Sequence, residues 1–447
     1  MGILGPVLSG LLSSVSKGVL VKYSDKIVFD FSGGALPSGV TYSGPANMYV
    51  PQSNGNYELV TSGPLFSDEA LYIPAGFTDY IGNKTFAGAV AGDVQGSGSP
   101  PTGSNLTGLD NGGSDTVTIV STSNSDSEMR GFPSITIHWQ RTGSVSVGGF
   151  NLAMFTSLAS GQVDVAEGDV LTHGCLFKFT NLADITGLVS AYLRINPRNS
   201  SNAGLGTNYA QASINTLLQD LIVSYTMPAT TDYANANFGV TTSASGDVDV
   251  TFKIAAPQLI NKLTLPLCIA NGSADSAIVV TGGSCTKASG VSLNPKLSVV
   301  LDYISQNGEV GQNDLINPSN ARNFDISSSN GSTSLHAFTH NSTKHAVIEA
   351  LAGSVYTSKL ENDDVLMGGV TNRVVYVFGE EGIKISLNGG TTATETWEEY
   401  IDAGILTNIG YGCSAAGSLP AGIGVKTMTI YPNTEFSAAE CQSRSAL

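Results

Sequence analysis

Apolar and polar residues alternate with a period of two along most of this chain, the pattern of half-buried β-strands. A clear run is Ile383-Lys384-Ile385-Ser386-Leu387, followed by Asn388-Gly389. Asn-Gly after an alternating run predicts a tight hairpin, because such turns need positive φ at both central positions. Ile405 to Gly412 predicts a strand ending in glycines. Gly422 to Tyr431 predicts another, stopped at Pro432, which cannot donate to a β-ladder. Ser437 stands three residues before Glu440. That is the spacing of a capping box and predicts a short terminal helix.

The first 22 residues break the pattern. Leu4, Leu8, Leu11, Leu12, Val15 and Val19 recur at spacings of three and four and predict a helix with one apolar stripe. So short a helix is marginal in water, and its stripe needs a partner. That partner is its own domain, a larger assembly or an oligomeric bundle.

From Ile27 the chain turns to strands, at Val28-Phe29-Asp30-Phe31, Val40-Thr41-Tyr42, Met48-Tyr49-Val50, Tyr57 to Val60 and Ala70 to Ala75. Residues 92–114, rich in Gly, Ser, Pro and Asn, predict a surface loop. Further strands are predicted around Val117, Ile137, Phe177, Tyr192, Val223, Val250 and Leu265. Gly282-Gly283, Gly290 and Pro295 mark a joint across residues 281–295. The expected fold class is all-β, with tandem β-sandwich or jelly-roll domains and a short N-terminal helical segment. The expected units are a docking segment at 1–22, a β domain at 23–285 and a second at 291–447.

Composition sharpens this picture. The chain has 52 glycines in 447 residues, and 41% hydrophobic residues suffice for buried cores. The net charge of −16 argues against a nucleic-acid partner, which needs a basic face for phosphates. Cys175, Cys268, Cys285, Cys413 and Cys441 have no metal or redox spacing. Their odd number leaves at least one without a partner in its own chain, and small buried apolar roles are expected for them. The apolar stretch from Gly2 to Leu12 is too short to span a membrane. Its first basic follower is Lys17, so neither membrane insertion nor an export signal is expected.

Candidate chemistry is sparse. Glycoside hydrolysis needs two carboxyls converging on one bond. The acidic pairs Asp363-Asp364, Glu380-Glu381 and Glu398-Glu399 are adjacent in sequence. On a strand, neighbours point to opposite faces, so no catalytic residue is assigned. His336, His340 and His345 cluster without a metal-binding spacing. Glycan contact requires aromatic faces beside amides or carboxylates. Trp397 with Glu399 and Tyr400, and Trp139 between His138 and Gln140, have that composition. Core packing is the competing role for both tryptophans.

The order of the C-terminal elements carries a resemblance. A hairpin at Leu387-Asn388-Gly389-Gly390 precedes a glycine-ended strand, a strand closing at Tyr431-Pro432 and a helix opening Phe436-Ser437-Ala438-Ala439-Glu440. This set resembles the laminin-G-like, concanavalin-type jelly rolls of bacteriophage structural proteins. Tyr49-Val50, Gly55, Leu59-Val60, Pro64-Leu65-Phe66 and Ile73-Pro74-Ala75 resemble a leader common in such proteins, in shape rather than chemistry.

The resemblance implies a non-enzymatic virion protein, a fibre or spike on tail, neck or capsid that contacts host glycan. It also implies a homotrimer, assembled in the host cytoplasm and docked to other virion proteins through Leu4, Leu8, Leu11, Leu12 and Val15. Calcium is the one cofactor it suggests, with oxygen ligands at Asp363, Asp364, Asp110 and Asp115. The alternatives are a polysaccharide-degrading tailspike and a secreted bacterial lectin or adhesin.

Overall fold

The computed structural model describes residues 26–447 except 95–96, 108–114, 143–150, 154–161, 243–245, 263–264, 275, 306–321, 340–344, 353–354, 381, 397–405 and 417–420. The side chains of 105–107, 151, 153, 288–292, 352 and 355–358 are also outside the description. Among the described residues the chain is all-β, with antiparallel sheets and one α-helix, Ala438–Ser445. The predicted helix over 1–22, with its docking stripe, lies outside them.

Two β-sandwiches and a small three-stranded sheet make up the fold. In the first sandwich, one sheet orders Gln219–Thr226, Val170–Asp184, Val248–Ile260, Ser134–Arg141 and Asp115–Ser123. The facing sheet orders Asn208–Ala212, Leu188–Arg198, Tyr233–Thr242, Asn151–Ala153 and Asn105–Thr107, with Gln162–Asp164 also on Tyr233–Thr242. Alternate residues fill the space between, including Phe177, Phe179, Leu193, Phe238 and Phe252. Each such side chain contributes about 1.5–3 kcal/mol on burial.

The second sandwich is built from both ends of the chain. One sheet is centred on Leu297–Ile304 and Ile423–Pro432. Ile27–Asp30 pairs with Ile423–Pro432 from Ile27↔Ile430 to Asp30↔Thr427, and Leu71–Ile73 pairs with the beginning of the same strand. The facing sheet runs from Thr41–Ser43 through Ser284–Leu293, Leu406–Tyr411, Phe324–Ser328, Thr333–Thr339 and His345–Ala352 to Val355–Val365.

The hydrogen-bonded pairing therefore corrects the expected division at 285/291. Ile27–Asp30, Thr41–Ser43, Leu65–Phe66 and Leu71–Ile73 belong to the same sheets as residues 284–432, and the first sandwich is inserted between them. Alternation reveals that a strand has a buried face, but not which strand it will pair with. The two crossings touch, since the Gly283 N–H donates to the Pro74 carbonyl at 2.8 Å. Phe77, Ile260, Leu267 and Val280 share an apolar cluster there with Met48, Leu65 and Tyr72.

Local predictions near the C-terminus match the structure. Asn388 and Gly389 have φ of 48° and 79°, and the hairpin pairs Ile383↔Glu395. The capping box is complete between Ser437 and Glu440. Of the strand expected around Leu265, residues 263–264 lie outside the described residues, and 265–267 are irregular, where Pro266 has no N–H for a ladder. All five cysteines are buried and free.

Candidate functional site

The face of the first sandwich that points away from its core carries an unusual set of side chains. Along Leu188–Arg198, Ala191, Leu193 and Ile195 point inward. Tyr192, Arg194 and Asn196 therefore point outward, by the two-residue repeat of a strand. On Tyr233–Thr242, Ala234, Ala236, Phe238 and Val240 point inward, which turns Asn235 and Asn237 out.

Register aligns these residues into rows across the sheet. Tyr209 stands opposite Arg194, and Arg194 opposite Asn237. Gln211 stands opposite Tyr192, and Tyr192 opposite Gly239. Asn196 stands opposite Asn235, and Asn235 opposite Gln162. Three neighbouring strands span about 10 Å. Gly239, which is buried, adds no side chain to its row.

Two tyrosines give the face an apolar component. Tyr209 is 60% exposed on the edge strand. Its ring meets that of Tyr192 edge-on, with centroids 6.4 Å apart. The Arg194 guanidinium carbon lies 5.7 Å from the Tyr192 centroid, within cation–π range. At the end of the strand, Arg198 donates to the backbone and side-chain oxygens of Asn202 at 2.7 and 2.9 Å. Tyr233 Oη donates to the same Asn202 side chain at 2.7 Å.

The amides supply the polar component. The side-chain oxygens of Asn235 and Asn237 are buried and have no hydrogen-bond partner among the described residues. A desolvated acceptor left unpaired costs about 1–3 kcal/mol, which an incoming hydroxyl donor would recover. The face thus combines ring surfaces, fixed amides and a guanidinium, and can hold a flat, hydroxyl-rich ligand.

The residues predicted from sequence are elsewhere. Trp139 is fully buried in the first sandwich's core, so its ring faces protein, which corrects the glycan-contact expectation for that residue. Asp115 is 2% exposed and forms an ion pair with Arg141, its Oδ1 3.8 Å from Arg141 Nε. Asp363 is exposed and Asp364 half-buried on successive positions of Val355–Val365. The backbone N–H of Asp364 donates to Asn362 Oδ1 at 2.8 Å. Asp110, Trp397, Glu399 and Tyr400 lie outside the described residues. Among the described residues, no three His, Cys, Asp or Glu side chains form a metal-binding group.

The described part of the histidine cluster resolves into hydrogen-bonded cross-strand rows. On the second sandwich, Asp325, His336, Glu349 and Lys359 stand opposite one another on four successive strands. His336 Nε2 lies 3.0 Å from Glu349 Oε2, and Lys359 Nζ 3.4 Å from Glu349 Oε1. His345 pairs with Glu361 at 2.9 Å. His340 is outside the described residues.

Sequence reasoning missed the Tyr192–Tyr209–Asn237 face. Its one available signal was alternation of polar, aromatic and amide residues with small apolar ones in Tyr192 to Asn196 and Tyr233 to Phe238. The pairing that joins the two segments to Tyr209 is not written in either.

No family model matches the chain, and no curated protein matches it. Among solved structures, it is similar to domain 4 of AbnA, a GH43 extracellular arabinanase from Geobacillus stearothermophilus, in complex with arabinotriose. Identity is 9% over 38% of this chain and 77% of that one, with a TM-score of 0.29. It is similar to galectin-Ib from Xenopus laevis, at 10% identity over 33% of this chain and 98% of that one, TM-score 0.24. It is also similar to a tail fibre protein from an E. coli phage, at 9% identity and a TM-score of 0.22. That match covers 75% of this chain and 40% of the tail fibre's length. Likenesses at these scores carry no argument about activity, and the all-β assignment rests on this chain's own strands. Among the described residues, no helix is long and apolar enough to cross a membrane.

Proposed function

We propose that this chain is a non-enzymatic phage virion protein of fibre or spike type, which binds host-surface glycan through the Tyr192–Tyr209–Asn237 face. The observation that carries the glycan reading is the pair of buried amide oxygens of Asn235 and Asn237, unpartnered among the described residues, beside the exposed Tyr209 ring. Sugars present hydroxyl donors on one edge and C–H surfaces on the ring faces, matching that combination. The phage context is supported by the order of C-terminal elements described above.

In this reading the protein works as a homotrimer. Linked copies multiply a weak single-site contact by raising the effective concentration of the next one.

A glycan array probed with the full-length protein tests the proposal, followed by affinity measurements on the hits. Tyr209→Ala and Asn237→Ala each weaken binding at least about tenfold, ~1.4 kcal/mol. Retained affinity in both variants would rule out this face. Release of reducing ends from a bound polysaccharide would replace binding with hydrolysis. Mass photometry reads the trimer directly.

A further inference from the structure

We propose that Lys84 and Asp79 become joined by a side-chain amide, formed inside the folded chain without a cofactor. The two residues lie where the chain enters the first sandwich. Lys84 Nζ is 2.5 Å from Asp79 Oδ2, and the side chains are 2% and 0% exposed. The strand Val248–Ile260 packs over them. Tyr80 N–H donates to the Leu259 carbonyl at 2.7 Å, and Lys84 N–H to the Gly272 carbonyl at 2.8 Å. The reacting atoms are therefore held from three segments of the chain.

The two oxygens of Asp79 have different surroundings. Oδ1 accepts the backbone N–H groups of Ile81 at 3.0 Å and Leu259 at 3.1 Å. Oδ2 faces the Lys84 amine. Lys84 Nζ also donates to the Pro257 carbonyl. This asymmetry is what amide formation requires. The Nζ lone pair attacks Cγ, and negative charge gathers on Oδ1 between two fixed N–H donors, an oxyanion hole. Oδ2 takes two hydrogens from the nitrogen and leaves as water.

The balance closes without a co-reactant: one ammonium and one carboxylate give one amide and one water. Burial favours the reactive forms, pushing the Asp79 carboxyl up and the Lys84 ammonium down. Both shifts move the pair towards neutral acid and free amine. The product also fits the hydrogen bonds already present. Its single N–H has the Pro257 carbonyl as acceptor, and its carbonyl oxygen keeps Ile81 and Leu259 as donors. It removes two charges from a site where an ion pair is expensive to keep.

The experiment is the denatured mass of the purified full-length protein, with a tryptic map. The expected mass is one water below the sequence value, with trypsin failing to cut after Lys84 and the loss localised to residues 79–84. Lys84→Met returns the mass to its sequence value. An unmodified mass with cleavage at Lys84 overturns the proposal, because the pair is then an ordinary buried ion pair. Loss of water with Lys84 still cleavable also overturns it, since that is a succinimide at Asp79, which opens in mild alkali. Loss of water persisting in Lys84→Met overturns it as well. The wild-type measurement decides the matter even where the variant does not fold.

Discussion

His336 Nε2 lies 3.0 Å from Glu349 Oε2, with the two side chains 1% and 3% exposed. Burial pushes the His336 imidazole below its ordinary value, against the pull of the Glu349 hydrogen bond. For Glu349, burial pushes upward, but the His336 bond and the charges of His336, Lys359 and Arg322 outweigh it and hold its carboxyl low. Burial also takes His173, in the core of the other sandwich, down to about 4.

These shifts share one sign. A histidine lowered in the folded state takes up its proton first in the unfolded state, so acid favours unfolding. Stability is fully present above the unfolded histidine value of about 6.5 and falls as pH drops towards the folded value. Glu349 adds a further loss below about 4.5. Denaturant unfolding measured between pH 7 and 4 shows decreasing stability. The slope is reduced in His173→Leu, where about 3 kcal/mol of pH dependence is removed. An unchanged slope in that variant would place His173 in contact with water.

The insertion topology predicts how the chain divides. A fragment starting at Val291 lacks Ile27–Asp30, Thr41–Ser43, Leu65–Phe66 and Leu71–Ile73, four strands of its own two sheets. It exposes their unpaired ladders and the core beneath, and is aggregated or unfolded by circular dichroism. Removing residues 78–279 and bridging the ends with a short glycine linker leaves a folded sandwich, because Pro74 and Gly283 are already hydrogen-bonded neighbours. Cooperative unfolding of the Val291 fragment would contradict this division.

Trp139 separates core packing from ligand contact. Its side chain is fully buried. Trp139→Ala costs about 3–5 kcal/mol of stability, seen in chemical denaturation. At temperatures where that variant stays folded, glycan affinity is unchanged, in contrast to Tyr209→Ala.

The terminal helix docks on the outer surface of the second sandwich through Phe436 and Cys441. Its capping box holds the first turn, with Glu440 N–H donating to Ser437 Oγ at 3.3 Å and Ser437 N–H to Glu440 Oε2 at 2.9 Å. Ser437→Ala lowers stability by about 1 kcal/mol. Thermal melts of the two proteins measure the difference.

Short-range features were legible in the sequence because their causes are local. Asn388-Gly389 accepts positive φ at low steric cost, so the hairpin follows from two residues. Ser437 and Glu440 satisfy each other's backbone within one turn, so the helix start follows from four. Alternation marked most of the strands, and through them the all-β class. What alternation leaves open is the partner of each strand, and the larger discrepancies descend from that. Ile27–Asp30 found Ile423–Pro432 at the far end of the chain, making one sandwich from both termini. Trp139 carried polar neighbours in sequence, yet the two-residue repeat sent its ring into the core and those neighbours outward. Tyr209, Arg194 and Asn237 are ordinary residues in separate segments. They become one surface when three strands pair in a register set by their apolar faces, a long-range condition that tertiary packing alone imposes.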